Sequence, residues 1–242
     1  MLTTNQLKAW ELRAFAPARA VASLCEALSI PPFSQYPLVR GFSLESLKDL
    51  TPELSLSDIP SWRGAERLAL AIQAKKRILI HGDYDADGIS GTALLLLGLR
   101  SLGADVEPFI PNRLTDGYGI HPDRVAEHAL RAEVFITVDC GISNLEEIKG
   151  LQAAGLEVII SDHHQPGPIW PDCLVIHPKS SPRAKKGLPE LTGAGVAYHL
   201  LWALHEHLGL EAPLDYIDLA TLGTIADVAP SWVKIRPLSQ RV

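Results

Sequence analysis

Apolar residues along this chain follow two periods. From Arg77 onward, short runs rich in Ile, Val and Leu alternate with longer stretches whose apolar residues recur at helical spacing. Runs of that kind read as strands buried on both faces of a parallel sheet, and their alternation with helices reads as right-handed βαβ units. The pattern predicts strands over 77–82, 106–110, 133–138, 156–161 and 173–176. It predicts helices over about 88–102, 122–131, 144–154, 194–208 and 214–224, with another over about 63–74 leading into the first strand. The expected fold class is therefore α/β, a parallel sheet of about five strands flanked by helices. Residues 1–60 read differently. Helical spacing over 7–28 stops at Ile30-Pro31-Pro32, and a mixed segment with turn residues runs from Pro37 to Pro60. A small, mostly helical N-terminal region over 1–60 is expected before a main domain over 61–242.

Composition narrows the class without naming a chemistry. A length of 242 residues allows one sizeable core with a small appendage. The longest apolar stretch, from Ala93 to Leu99, is too short to span a bilayer, and no basic segment followed by an apolar core opens the chain. Neither a membrane association nor a signal peptide is expected. Cys25, Cys140 and Cys173 are odd in number and lack CxxC spacing, which points to a reducing cytoplasm and away from a disulfide framework or structural zinc. The net charge of −6 does not advertise a nucleic-acid partner, although acids that bind metal would contribute to that deficit.

The informative residues sit where the predicted strands end. His81-Gly82-Asp83-Tyr84-Asp85-Ala86-Asp87-Gly88 follows the first strand, Asp139-Cys140-Gly141 the third and Ser161-Asp162-His163-His164 the fourth; Asp227 ends the last helix. Ligands of open α/β sheets gather at the carboxyl ends of strands, so these side chains should converge. A set of carboxylates and imidazoles without a paired Lys or Arg calls for a cation.

Each cluster has a plainer reading. Asp-x-Asp-x-Asp-Gly opens an EF-hand, but the twelfth position would be Leu94 where a bidentate Glu is needed, and a strand precedes the motif. Asp139 alone could cap the helix that follows, a role open to Ser143 as well. Consecutive side chains in extended backbone point opposite ways, so one of His163 and His164 can ligate a metal while the other faces a substrate; two surface histidines are the alternative. Asp227 alone would be an ordinary C-terminal acid.

Three further segments bear on substrate. The loop from Asn112 to Gly119 offers the Arg113 guanidinium to a phosphate and the Tyr118 ring to a base, or is only a flexible connection. The run from Lys179 to Lys186, with Lys179 and Arg183 as its candidates, could track a nucleic-acid backbone or form a solvated loop. Thr192-Gly193-Ala194-Gly195 opens a helix and could present amides to a phosphate or serve helix packing. His177 lies near the expected site edge, and the remaining histidines read as structural or surface.

The order of these motifs resembles the DHH phosphoesterase family, and within it the bacterial single-strand-specific exonucleases. Gly-Asp-Tyr-Asp-Ala-Asp-Gly, Asp-Cys-Gly, Ser-Asp-His-His, Gly-Thr-Ile-Ala-Asp, Gly117-Tyr118-Gly119 and the Gly-Ala-Gly helix start all match in sequence and order, over about residues 60–230. The resemblance extends to residues 1–60 with less support. The DHH-associated domain that follows in such proteins has no counterpart here, so a fragment or a shortened relative is expected. The resemblance implies two metal ions, Mn²⁺ with Mg²⁺ as a substitute. His81, Asp85 and Asp139 would hold one, and Asp87, Asp139, His163 and Asp227 the other, with Asp139 between them. Asp83 would support the first set and His164 would contact the scissile phosphate. Two such ions about 3.5–4 Å apart lower the pKa of a water between them and stabilise both the attacking and the leaving oxygen.

Three functions are compatible with this reading. The first is a 5′→3′ exonuclease of single-stranded DNA in repair and recombination, with that DNA and possible repair proteins as partners. The second is a hydrolase of short oligonucleotides, cyclic dinucleotides or pyrophosphate. The third is a non-catalytic single-strand-binding scaffold, which the intact ligand set disfavours.

Overall fold

In the computed structural model, which describes residues 61–180 and 191–228, five strands form one parallel sheet. They are β1 Arg77–Gly82, β2 Asp105–Phe109, β3 Val134–Val138, β4 Glu157–Ser161 and β5 Leu174–Ile176, in the order β2-β1-β3-β4-β5. The helices are α1 Ser61–Gln73, α2 Ala86–Ser101, α3 Val125–Arg131, α4 Leu145–Ala153, α5 Gly193–His207 and α6 Ile217–Ala226. The described residues all belong to the compact unit Glu53–Val242. The helix expected over 7–28, Cys25, the N-terminal region and Arg183 lie outside the described residues.

The strand order has a functional consequence. From β1 the chain moves outward to β2, then returns across β1 to β3, so the direction of winding reverses between β1 and β3. The crevice beyond the carboxyl ends of those two strands is where a sheet of this topology binds ligands. The strand alternation also separates the two faces. Ile78 and Ile80 pack with Ile136 and Ile159 against α1, α2 and α5, whereas Leu79 packs with Phe135 and Ile160 against Ile148 and Leu151 of α4. Each side chain of this kind, once fully buried, contributes roughly 1.5–3 kcal/mol before entropy is counted. Helix α5 is buried around its whole circumference from Gly193 to Leu204 because it lies among α1, α2 and α6.

Element boundaries agree with the sequence pattern to within about two residues. Two expected helices begin with short 3₁₀ turns, Pro122–Arg124 before α3 and Leu214–Tyr216 before α6, with Pro122 at the first position of one turn and Pro213 just before the other, where a missing amide donor costs no helical hydrogen bond. Among the described residues no helix is long and apolar enough to cross a membrane.

Candidate metal centre

The sheet's hydrogen bonding continues one residue past its strands and lines three acids up at the edge. Asp83 N–H donates to the Val138 carbonyl at 3.1 Å, Asp139 N–H to Ser161 at 3.0 Å and Asp162 N–H to Ile176 at 3.2 Å. Asp139 then adopts a left-handed backbone, φ +64°, which few residues besides Gly, Asn and Asp tolerate. This turn carries the chain away from the sheet just after the carboxylate is placed. Asp139 is not a helix cap: α4 begins six residues later with Asn144 at its N-cap position.

The acids of the first cluster divide between two places. Asp85 is the N-cap of α2, accepting the Gly88 amide at 2.9 Å. Asp87 sits two residues further on, in the first turn of α2, and its two carboxylate oxygens accept the Gly193 and Ala194 amides at 2.6 and 2.9 Å. The amides that open α5 are thus committed to Asp87, not left for a phosphate. Two glycines make this approach possible. A Cβ at Gly193 would overlap Asp139, and one at Gly223 would overlap Asp87.

Three overlapping sets of metal-ligating atoms result, each with all members within 4.8 Å of one another: Asp83, Asp85 and Asp139; Asp139, His163 and His164; Asp87, His163 and Asp227. Asp139 and His163 each belong to two sets. Their atoms test the fit of a cation directly. Asp139 Oδ1 is buried and lacks an aligned hydrogen-bond partner, although His163 Nε2 is 3.0 Å away and Asp87 Oδ2 lies 3.8 Å beyond that nitrogen. Three donor atoms crowd together without bonding one another well, and no Lys or Arg pairs with them among the described residues. A divalent cation fits that arrangement.

Protonation follows from the same crowding. Burial raises the Asp139 carboxyl to about 7, with Asp87 adding to the rise and His163 opposing it. Burial also raises Asp83 and Asp87, the latter against the pull of the α5 amides. Burial lowers His163, but the Asp139 carboxylate outweighs it and leaves the imidazole above its ordinary value. The Asp162 carboxylate, 2.9 Å from His164 Nδ1, lifts His164 to about 9. Burial pushes Asp162 up, yet its bonds from the His164 ring and from the Ile142 and His164 amides hold it below the carboxylate range.

A pH-dependent stability follows. Asp139, His163 and His164 all bind protons more tightly in the folded chain, so each contributes stability that disappears as pH rises towards its folded value. His81 and His128, lowered by burial to about 4, act in the opposite direction, but that effect is complete near neutrality. In chelator the melting temperature is expected to fall from about pH 7 to 8.5, and the upward shift produced by Mn²⁺ to be larger at the higher pH, because metal displaces those protons. Thermal melts at both pH values check this; a metal-free protein that becomes more stable over the interval contradicts it.

The structure does not bring His81 to Asp85 and Asp139. Its imidazole is fully buried on the Leu79 face, between Phe109, His128 and Phe135, and Nε2 lies 3.1 Å from the Gly119 carbonyl. Asp83 stands with Asp85 and Asp139 instead. Tyr118 is half exposed with its hydroxyl 3.0 Å from His164 Nδ1. Arg113 stacks over the Tyr84 ring at 5.4 Å, with no carboxylate partner among the described residues. Lys179 Nζ lies 2.5 Å from Gln165 Oε1. Two residues of the site have no role assigned from the sequence, although Asp162 lies in the fourth-strand cluster and His177 near the expected site edge. Asp162, fully buried, gathers the His163 and His164 amides on one oxygen and the Ile142 amide on the other. His177 holds the His164 carbonyl at 2.8 Å. For Asp162 the only signal was its place between the strand end and the histidine pair.

Comparison with known proteins bears on the family and the fold. The model of the DHH family, N-terminal domain, matches residues 77–224. The single-stranded-DNA-specific exonuclease RecJ of Thermus thermophilus is 50 % identical over 222 residues, covering 85 % of this chain and 33 % of its own. RecJ of Bacillus subtilis is 41 % identical over 222 residues, covering 87 % and 27 %. A crystal structure of exonuclease RecJ bound to manganese superposes with a TM-score of 0.68 at 53 % identity, over 76 % of this chain and 46 % of that one. The chain thus spans about a third of the length of the curated relatives it matches.

Proposed function

The chain belongs to the DHH family, and from that premise we propose that it is a metal-dependent phosphodiesterase acting as a 5′→3′ exonuclease on single-stranded DNA. The observation that carries the reading is the buried Asp139 Oδ1, 3.0 Å from His163 Nε2 without an aligned hydrogen bond, in a carboxylate shared by two of the three ligand sets. Asp83, Asp85 and Asp139 would hold one divalent ion; Asp87, Asp139, His163 and Asp227 would hold the other. Mixed carboxylate and imidazole donors suit Mn²⁺, with Mg²⁺ as a substitute, and the manganese-bound relative supports that choice. When bound, two ions supply an activated water and neutralise charge developing on the phosphate.

The chain's own residues then orient and discriminate. Asp87 is kept in one rotamer by the α5 amides, so its oxygens are fixed before any ligand arrives. His164, protonated through Asp162, offers a charged donor to a phosphate oxygen. Arg113, close to Tyr84 and free of carboxylates among the described residues, offers a second. Tyr118 presents a ring to a base, and Lys179, with Arg183 in the sequence beyond it, follows the strand backbone. Single-stranded DNA is therefore the proposed partner, joined by DNA repair proteins, in the cytoplasm.

The test is degradation of end-labelled oligonucleotides in Mn²⁺, as matched single strands, blunt duplexes and dinucleotides. The expected result is Mn²⁺-dependent shortening of single strands from the 5′ end, with little action on duplex. Equal cleavage of duplex, or consumption of dinucleotides alone, would replace this reading with a less selective nuclease or a small-substrate hydrolase.

A further inference from the structure

Tyr118 does more in this structure than present a ring. It sits between Gly117 (φ +75°) and Gly119 (φ +79°), whose left-handed backbones fold the loop between β2 and α3 back over the strand ends. The hydroxyl reaches two elements of the centre at once. It donates to the Asp139 carbonyl at 3.3 Å and lies 3.0 Å from His164 Nδ1, with the two rings edge to face. Because Asp162 Oδ1 also lies 2.9 Å from Nδ1, that nitrogen carries a proton shared between the carboxylate and the phenol oxygen. Nε2 remains as the ring's donor for a phosphate.

Two residues grip the loop from behind. His81 Nε2 donates to the Gly119 carbonyl at 3.1 Å, and its Nδ1 accepts from His128 Nε2 at 3.3 Å, so both of its nitrogens are engaged. The Asn144 amide accepts the Ile120 N–H at 3.2 Å and donates to the Ile120 carbonyl at 3.1 Å, pairing with that residue as a neighbouring strand would. A Cβ at position 119 would strike Asn144 Oδ1. Consecutive peptides after Tyr118 are therefore held from both sides.

We propose that Tyr118 is a positioning residue for His164, acting through its hydroxyl, and that His81 and Asn144 are the supports that keep the loop in register. The proposal rests on the phosphodiesterase reading of the site. It also gives His81 a task other than metal ligation.

Tyr118→Phe separates the hydroxyl from the ring. With Mn²⁺ and a single-stranded substrate, kcat is expected to fall about five- to tenfold, the loss of one hydrogen bond, while KM and Mn²⁺ affinity stay unchanged. A wild-type kcat in this variant would mean that only the ring matters and would overturn the proposal. Asn144→Leu should lower kcat in the native background but not further in Tyr118→Phe, because both changes act through one contact. Additive losses would remove Asn144 from the mechanism. His81→Gln should retain Mn²⁺ affinity; loss of a bound ion would return His81 to the ligand set. One arm is independent of turnover. In ¹⁵N imidazole spectra of the metal-free protein, the His164 Nδ1 resonance should move in Tyr118→Phe, and an unchanged resonance rules the contact out. If the wild-type protein hydrolyses no phosphodiester, the functional reading fails while this arm still decides the contact.

Discussion

Replacing Asp139 by asparagine is expected to lower hydrolysis of single strands roughly a thousandfold or more, since several kcal/mol of transition-state stabilisation depend on both ions. Among the described residues no other acid belongs to two of the three ligand sets, and none offers the buried Oδ1 of Asp139 an aligned hydrogen bond. Asparagine preserves the shape and tolerates the left-handed backbone of φ +64°, so the fold is retained. Its amide is neutral and carries a donor in place of one oxygen. The metal-free variant should also melt higher than the native chain above about pH 7, because it no longer ionises a buried carboxyl whose pKa is raised to about 7. Single-turnover rates at saturating Mn²⁺, together with melts in chelator, check both parts. Activity within about tenfold of native would show that the two sets do not act through a shared acid.

The adjacent histidines should part company. His163 Nε2 lies 3.0 Å from Asp139 and 3.8 Å from Asp87, inside the ligand cluster. His164 is held through Nδ1 by Asp162 and is more exposed. His163→Ala is expected to weaken Mn²⁺ binding at least tenfold and to lose activity with it, as removal of a ligand requires. His164→Ala should leave Mn²⁺ affinity intact and lower kcat by roughly a hundredfold, the cost of one charged donor to the reacting phosphate. Calorimetric Mn²⁺ titration of both variants, paired with kcat, is the measurement. Equal loss of metal binding in the two would contradict the division of roles.

Much of the scaffold was legible in the sequence because buried parallel strands write a strong signal. Ile78-Leu79-Ile80 and Val134-Phe135-Ile136 stand out as unbroken apolar runs, and the acids after them mark the strand ends. The order of strands was not legible, since it depends on which helices cover which face. Assignment within the cluster failed to follow from spacing alone. Asp83, Asp85 and Asp87 are evenly spaced, yet α2 begins at Ala86, so the first two stay with Asp139 and the third turns towards α5 and α6. His81 was drawn into the ligand set by resemblance, although the alternation along β1 puts it on the face of Leu79, where Phe109, His128 and Phe135 enclose it. The roles of Asp162 and Tyr118 arise from turn geometry that no periodicity encodes: one collects amides after β4, the other folds back between two left-handed glycines.

The central claim is that these residues form one dinuclear centre joined through Asp139. Low-temperature EPR of the native protein titrated with Mn²⁺ tests it most directly. The account predicts two ions per chain and, at full loading, the spectrum of an exchange-coupled manganese pair, with that spectrum absent from Asp139→Asn. A native protein that binds a single ion, or two ions whose spectra remain those of isolated Mn²⁺, would contradict it.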